Sequence, residues 1–144
     1  MFSFSLDQYR LPVAEVDDER YRRLVNWMIT DVSVHPQVAL DALAMIDDVA
    51  NGRPPFEEWS SENYEVSFTS DGLTFQNVWL PHDNGNYTVE EARQAFEEYW
   101  RFLVSLPDRG LIREYRPDLP EWQADLLMWE ETWGRAHPYR GRLF

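Results

Sequence analysis

Three imidazoles, His35, His82 and His137, are the whole histidine complement of the sequence. None stands in a His-x-x-x-His or Glu-x-x-His spacing that would set two metal ligands on one helix face. A transition-metal site is therefore not expected, and the absence of cysteine rules out a thiolate site or a disulfide framework. His82 is followed directly by Asp83 in a stretch that reads as a loop between a strand and a helix. A general base with an orienting carboxylate would use that pair, in an aromatic-lined, carboxylate-rich pocket, and a polar turn would use it equally well. No glycine-rich phosphate loop and no serine in a nucleophile-elbow pattern occur, so no residue is assigned a catalytic role and no cofactor is expected.

Carboxylates are the other chemical resource. Glu57-Glu58, Glu90-Glu91, Glu97-Glu98 and Glu130-Glu131 are adjacent pairs. Helical neighbours point about 100° apart and do not converge as the two acids of a glycosidase must. Glu90 and Glu97, like Glu91 and Glu98, repeat instead after two helical turns, with Arg93 and Arg101 on either side of Glu97. That stripe is either a solvated face or a docking surface for a basic protein.

These residues sit on a chain whose bulk properties narrow the choices. With 144 residues, 44% of them hydrophobic, it can bury one sizeable core, and a single domain over residues 1–144 is expected. All 13 cationic side chains are arginine, against 26 acids, for a formal charge of −13. Such a charge repels a phosphate backbone, so nucleic acid is not the expected partner and a basic protein is. The N-terminus lacks a basic region followed by an apolar run, and no stretch approaches the ~20 apolar residues of a membrane helix. A cytoplasmic protein without a membrane partner is expected.

Aromatics are abundant: seven Trp, seven Tyr and eight Phe. Trp27, Trp100, Trp122, Trp129 and Trp133 fall in helical patterns, and at least half of them should be core. Trp59 and Trp79 lie in or beside non-helical, acid-rich segments and are the better surface anchors.

The elements that position these groups follow from periodicity and punctuation. Residues 2–7 alternate as a half-buried strand and 11–16 read as a second. Asp17, Asp18 and Glu19 open a helix with Tyr21, Leu24, Val25, Met28 and Ile29 inward and Arg20, Arg22 and Arg23 outward. Another helix spans Pro36 to Ala50, with Gly52 behind it and Asp47 and Asp48 at its exposed end. An Asn51–Ser61 connector leads to a hairpin, in which 64–69 alternates, Ser70-Asp71-Gly72 turns, and Leu73–Leu80 returns. The loop HDNGN then precedes Thr88, which forms a capping box with Glu91 for a long helix from Val89 to Leu106. A short strand over 111–115 and a last helix from Pro117 to Trp133 complete an α+β domain, a small antiparallel sheet with a central β-hairpin packed on three to four helices. The final segment, RAHPYRGRLF, holds three arginines and no acid, and is expected to pack back against the acids of the 47–62 region and the helices.

The stretch EEWSSENYEVSFTSDGLTFQNVWL, followed by YTVEEARQAFEEYWRFL, resembles small acidic immunity proteins of bacterial toxin systems, including contact-dependent inhibition and other polymorphic toxins. The resemblance covers residues 57–103. It implies a protein that binds a toxin domain, often a basic nuclease, and blocks its active site or activation. No residue role is carried over from it. Candidate partner-binding residues come from the sequence alone: Glu57, Glu58, Trp59, Trp79, Glu90, Glu91, Glu97 and Glu98. The expectation is an interaction protein that occludes a basic partner. Two others stand beside it: a small-ligand module or small enzyme built on His82 and Asp83, and a structural accessory domain whose oligomer interface consumes the exposed tryptophans.

Overall fold

A computed structural model describes residues 2–144; Met1, the first residue of the expected 1–144 domain, lies outside the described residues. Strands β1 (Phe2–Leu6) and β2 (Pro12–Val16) form a separate two-stranded antiparallel hairpin. Its turn is built by Asp7, whose Oδ1 accepts from the N–H groups of Tyr9 (2.8 Å) and Leu11 (3.0 Å), and Arg10 adopts a left-handed φ of 63° there. A 3₁₀ turn at Glu19–Tyr21, capped by Asp18, runs into α1 (Arg22–Trp27) and then into a π-helical turn, Met28–Val32. The region read as one helix from residue 17 is therefore three helical geometries in series.

Helix α2 (Pro36–Ala50) has the bounds its sequence suggests and is buried from Ala39 to Val49 apart from half-buried Asp41. A helix apolar on nearly every side must be enclosed, and α2 is, by α3 (Val89–Ser105), α4 (Glu121–Trp133) and the sheet. The sheet is antiparallel, ordered β3 (Trp59–Ser60), β4 (Tyr64–Thr69), β5 (Gly72–Asn77) and β6 (Asn84–Tyr87), with the β4–β5 hairpin at its centre. Tyr64, Val66, Phe68, Leu73, Phe75 and Tyr87 face the helices and are buried. The opposite face, with Glu65, Ser67, Thr69, Thr74, Gln76, Asn84 and Asn86, is open to solvent. Gly72 cannot be replaced: a Cβ there would lie 2.1 Å from the Tyr87 carbonyl oxygen, in a backbone region that disfavours side chains. The protein is thus α+β, as its periodicities indicate.

Several expectations need correction. The strand read over Leu73–Leu80 stops at Asn77, because Asn77 Oδ1 accepts from the N–H groups of Trp79 (2.8 Å) and Leu80 (3.0 Å) and turns the chain. The segment read as the loop HDNGN supplies the first three residues of strand β6, which pairs with β5 and buries its last residue, Tyr87. Residues 111–115 form no strand, and Ile112 is fully exposed. The last helix begins at Glu121 rather than at Pro117, with Pro120 preceding its first turn.

The largest correction concerns the end of α2. Asp47 and Asp48 are not exposed but 6% and 3% accessible. The C-terminal segment folds back on them: Arg135 grips both carboxylate oxygens of Asp48 (3.1 and 2.7 Å), and Arg142 reaches Asp47 (2.6 Å). Arg140 pairs in the same way with Glu130 of α4. His137 closes the arrangement at 2% accessibility. Its Nδ1 accepts from the Tyr139 N–H (3.1 Å), which leaves Nε2 protonated and donating to the Leu40 carbonyl (2.9 Å). Among the described residues no helix is long and apolar enough to cross a membrane.

Candidate functional site

The acids of α3 are largely spent within the fold. Glu91 closes the capping box with Thr88 and also takes the Arg20 guanidinium on both oxygens and the Tyr21 hydroxyl (2.7 Å). The Arg20 hydrogen bonds hold its carboxyl down at about 2. Arg20, read as facing outward, is thereby a tie between the first turn of the helical N-terminal region and α3. Glu97 pairs with Arg101 (3.8 Å) and accepts from Tyr139 (3.3 Å), and Glu90 pairs with Arg93 (3.4 Å). Glu98 is half-buried. Glu91 looks toward the N-terminal segment and Glu97 toward the C-terminal one, so the four acids do not compose one open face.

Asp83 is also committed. It accepts from Arg23 Nε (2.5 Å), Asn77 Nδ2 (3.2 Å) and the Tyr64 hydroxyl (3.4 Å), and fixes the β5–β6 turn. His82 is exposed and lines neither of the two cavities described below. The two neighbours are therefore not arranged as base and orienter. Among the described residues no group of three or more His, Asp or Glu is placed to hold a metal ion.

The segment 57–62 is different. Glu57, Glu58 and Trp59, with Asp41 of α2, Val38, Ser60 and Ser61, line a hollow of about 280 Å³. Glu57, Glu58 and Glu62 make no ion pair with any described arginine. At the back of the hollow Asp41 accepts from Trp129 Nε1 (2.9 Å). Burial, and next the charge of Glu57, push the Asp41 carboxyl up to about 7. A cation entering the hollow would favour the ionised form and release the proton. Trp59, expected at the surface, is half-buried and stands edge-on to the core ring of Trp27 (5.0 Å) with its Nε1 donating to Ser61 (3.0 Å). It is one wall of the hollow rather than a projecting anchor.

The wall is held from below by Asp31, on the π-helical turn. Its carboxylate accepts from Ser61 Oγ, from the N–H groups of Asn63 and Tyr64 (3.1 Å each), and from Asn63 Nδ2 (2.8 Å). No sequence pattern announces this clamp, since its partners lie some thirty residues away in the chain.

Trp79 meets the end of the same segment, at Glu62. It is 70% exposed, between the exposed Val78 and Leu80. Its indole is nevertheless pinned, because Nε1 donates to the Glu62 carbonyl (3.0 Å). Its backbone is pinned too, by the Asn77 cap and by the bond from the Val78 N–H to the Asn63 carbonyl (2.9 Å). An apolar ring already immobilised loses little entropy on being covered. An acidic hollow and a fixed, exposed tryptophan thus both adjoin one short acidic strip. Compared with known protein families, curated proteins and solved structures, the chain matches none.

The Asp41 carboxyl yields a stability prediction. Its folded value lies above its ordinary 3.8, so the folded state holds the proton more tightly, and its stabilising effect is lost as pH rises from about 4 to about 7. Asp41→Asn keeps an acceptor for Trp129 and removes the titration. Thermal melts are expected to show the variant gaining on the parent between roughly pH 4 and pH 7; a constant difference would refute the assignment.

Proposed function

We propose that this protein is an immunity-like, cytoplasmic inhibitor that binds a basic toxin or effector domain and occludes it stoichiometrically. Trp79 carries the reading, as a large apolar side chain held rigid in solvent beside uncompensated carboxylates. Central aromatic anchors dominate binding energies in protein interfaces, and unpaired surrounding charge accelerates encounter with a partner of opposite sign. In this reading Trp79 is buried by the partner, while an arginine or lysine of the partner enters the hollow of Asp41, Glu57 and Glu58. The overall charge of −13 and the resemblance over residues 57–103 support the same class of partner.

The test is site-directed photocrosslinking in the native host, with the reactive residue at position 79 and a control at the exposed Gln94 of α3. Position 79 is expected to capture a basic protein that position 94 does not. With that partner purified, Trp79→Ala should weaken binding by roughly thirtyfold, about 2 kcal/mol, with an unchanged melting temperature. Capture of an acidic protein, or a variant that binds as well as the parent, defeats the proposal. Crosslinks only between copies of this chain would favour the accessory-domain reading.

A further inference from the structure

The larger cavity, about 740 Å³, opens between the turn of the β1–β2 hairpin, the C-terminal end of α3, the 107–120 loop and the start of α4. It shares no lining residue with the surface assigned to the partner. Its floor is apolar, with Leu6, Val34, Leu103, Leu106, Pro107 and Trp122 among the lining residues, and its volume lies within the range of small-molecule sites. The five charged positions of its wall belong to two kinds, four of them paired within the chain. Asp108, Asp118 and Glu121 are acids already compensated within the chain: Asp108 accepts from the Gly110 N–H (2.9 Å) beside Arg113 (4.0 Å), Asp118 pairs with Arg116 (3.1 Å), and Glu121 takes both ends of Arg109, itself a lining residue.

Arg10 is the other kind. Every other described arginine has a carboxylate within 4.0 Å, and Arg10 has none although the chain carries twice as many acids as arginines. It is also held at a cost, in the left-handed region at φ 63°, where its backbone N–H is fixed by the Asp7 carbonyl (3.0 Å). Once the internal pairs are set aside, the cavity presents an apolar interior and one uncompensated positive charge at its mouth.

We propose that this cavity binds a small monocarboxylic acid with an apolar body, the carboxylate on Arg10 and the body against Leu103, Leu106 and Trp122. A guanidinium suits a carboxylate because its N–H groups match the two oxygens.

Decanoate is the probe, titrated by calorimetry while the indole N–H resonance of Trp122 is followed by NMR. Saturable binding that moves the Trp122 signal is expected. Decanol, which keeps the apolar body without the charge, should bind at least about tenfold more weakly, as loss of one charge-assisted hydrogen-bonding pair implies. Arg10→Gly suits the left-handed backbone and preserves the turn, so it should leave the melting temperature intact and weaken decanoate by a similar factor while leaving decanol unaffected. The proposal is overturned if decanoate does not saturate, if decanol binds equally well, if decylamine binds more tightly than decanoate, or if Arg10→Gly binds decanoate like the parent.

Discussion

Arg135→Ala is expected to lower the unfolding free energy by roughly 3 kcal/mol, the low end of the cost of stranding one member of a buried ion pair. The Asp48 side chain is 4% accessible and receives two hydrogen bonds from Arg135. Without them its desolvation is only partly offset. Arg53, 3.5 Å away, remains, and Arg135 itself is partly exposed, which is why the upper end is not expected. The guanidinium also lies over the rings of Trp129 (5.2 Å) and Phe56 (5.8 Å), so part of the loss is packing. Urea unfolding at neutral pH checks the magnitude, and the double variant Arg135→Ala with Asp48→Asn separates the causes. If stranded charge dominates, the double variant is more stable than Arg135→Ala alone. A cost below about 1 kcal/mol would place this contact among ordinary surface pairs.

His137 sets the second large effect, in acid. Burial first of all lowers its imidazole from 6.5 to about 4, and the hydrogen bonds to Leu40 and Tyr139 hold the neutral tautomer. Its folded value lies below the unfolded one, so the unfolded chain binds the proton more readily. The contribution is fully present above about pH 6.5 and lost as pH falls toward 4, amounting to roughly 3 kcal/mol across the window. Asp41 and Asp125 oppose it, because burial raises them to about 7 and about 6 respectively, and each stabilises more as pH falls. The His137 effect is therefore isolated by difference. His137→Gln is expected to be much less stable than the parent at neutral pH, and the gap should close by pH 4. A gap independent of pH would mean that the imidazole is not buried as a neutral base.

The elements legible in the sequence are those whose signals are local. Pro36 and the run of apolar residues after it define α2; Thr88 and Glu91 define the start of α3; Ser70-Asp71-Gly72 and the alternation around it define the central hairpin. Strand β6 is hidden because Asn84, Gly85 and Asn86 have poor strand propensity, and only the neighbouring β5 makes a strand of them. Residues 111–115, LIREY, show the reverse, a short stretch with strand-forming residues that joins no sheet. The site follows the same division. Glu57, Glu58 and Trp79 are recognisable from composition, and the structure brings the first two to one hollow and the third against Glu62 at the end of the same strip. The acids of α3 carry the stronger sequence pattern, yet Glu91 and Glu97 are tied within the fold, since Arg20 and Tyr139 approach from distant parts of the chain. Asp41, Asp31 and Arg10 carry no pattern at all. Their importance depends on what folds against them, or on what does not.

The clasp on α2 also bears on how the molecule is made. Asp48 and Asp47 wait for partners 87 and 95 positions further on, and synthesis delivers them in that order. A nascent chain that has already emitted α2, the hairpin and α3 still lacks the Arg135 and Arg142 contacts to these carboxylates, with only the partly exposed Arg53 beside them. Loop closure over such spans precedes any reward from the contact. The clasp is therefore expected to be among the last contacts of α2 to form, after the arginine-rich segment has left the ribosome.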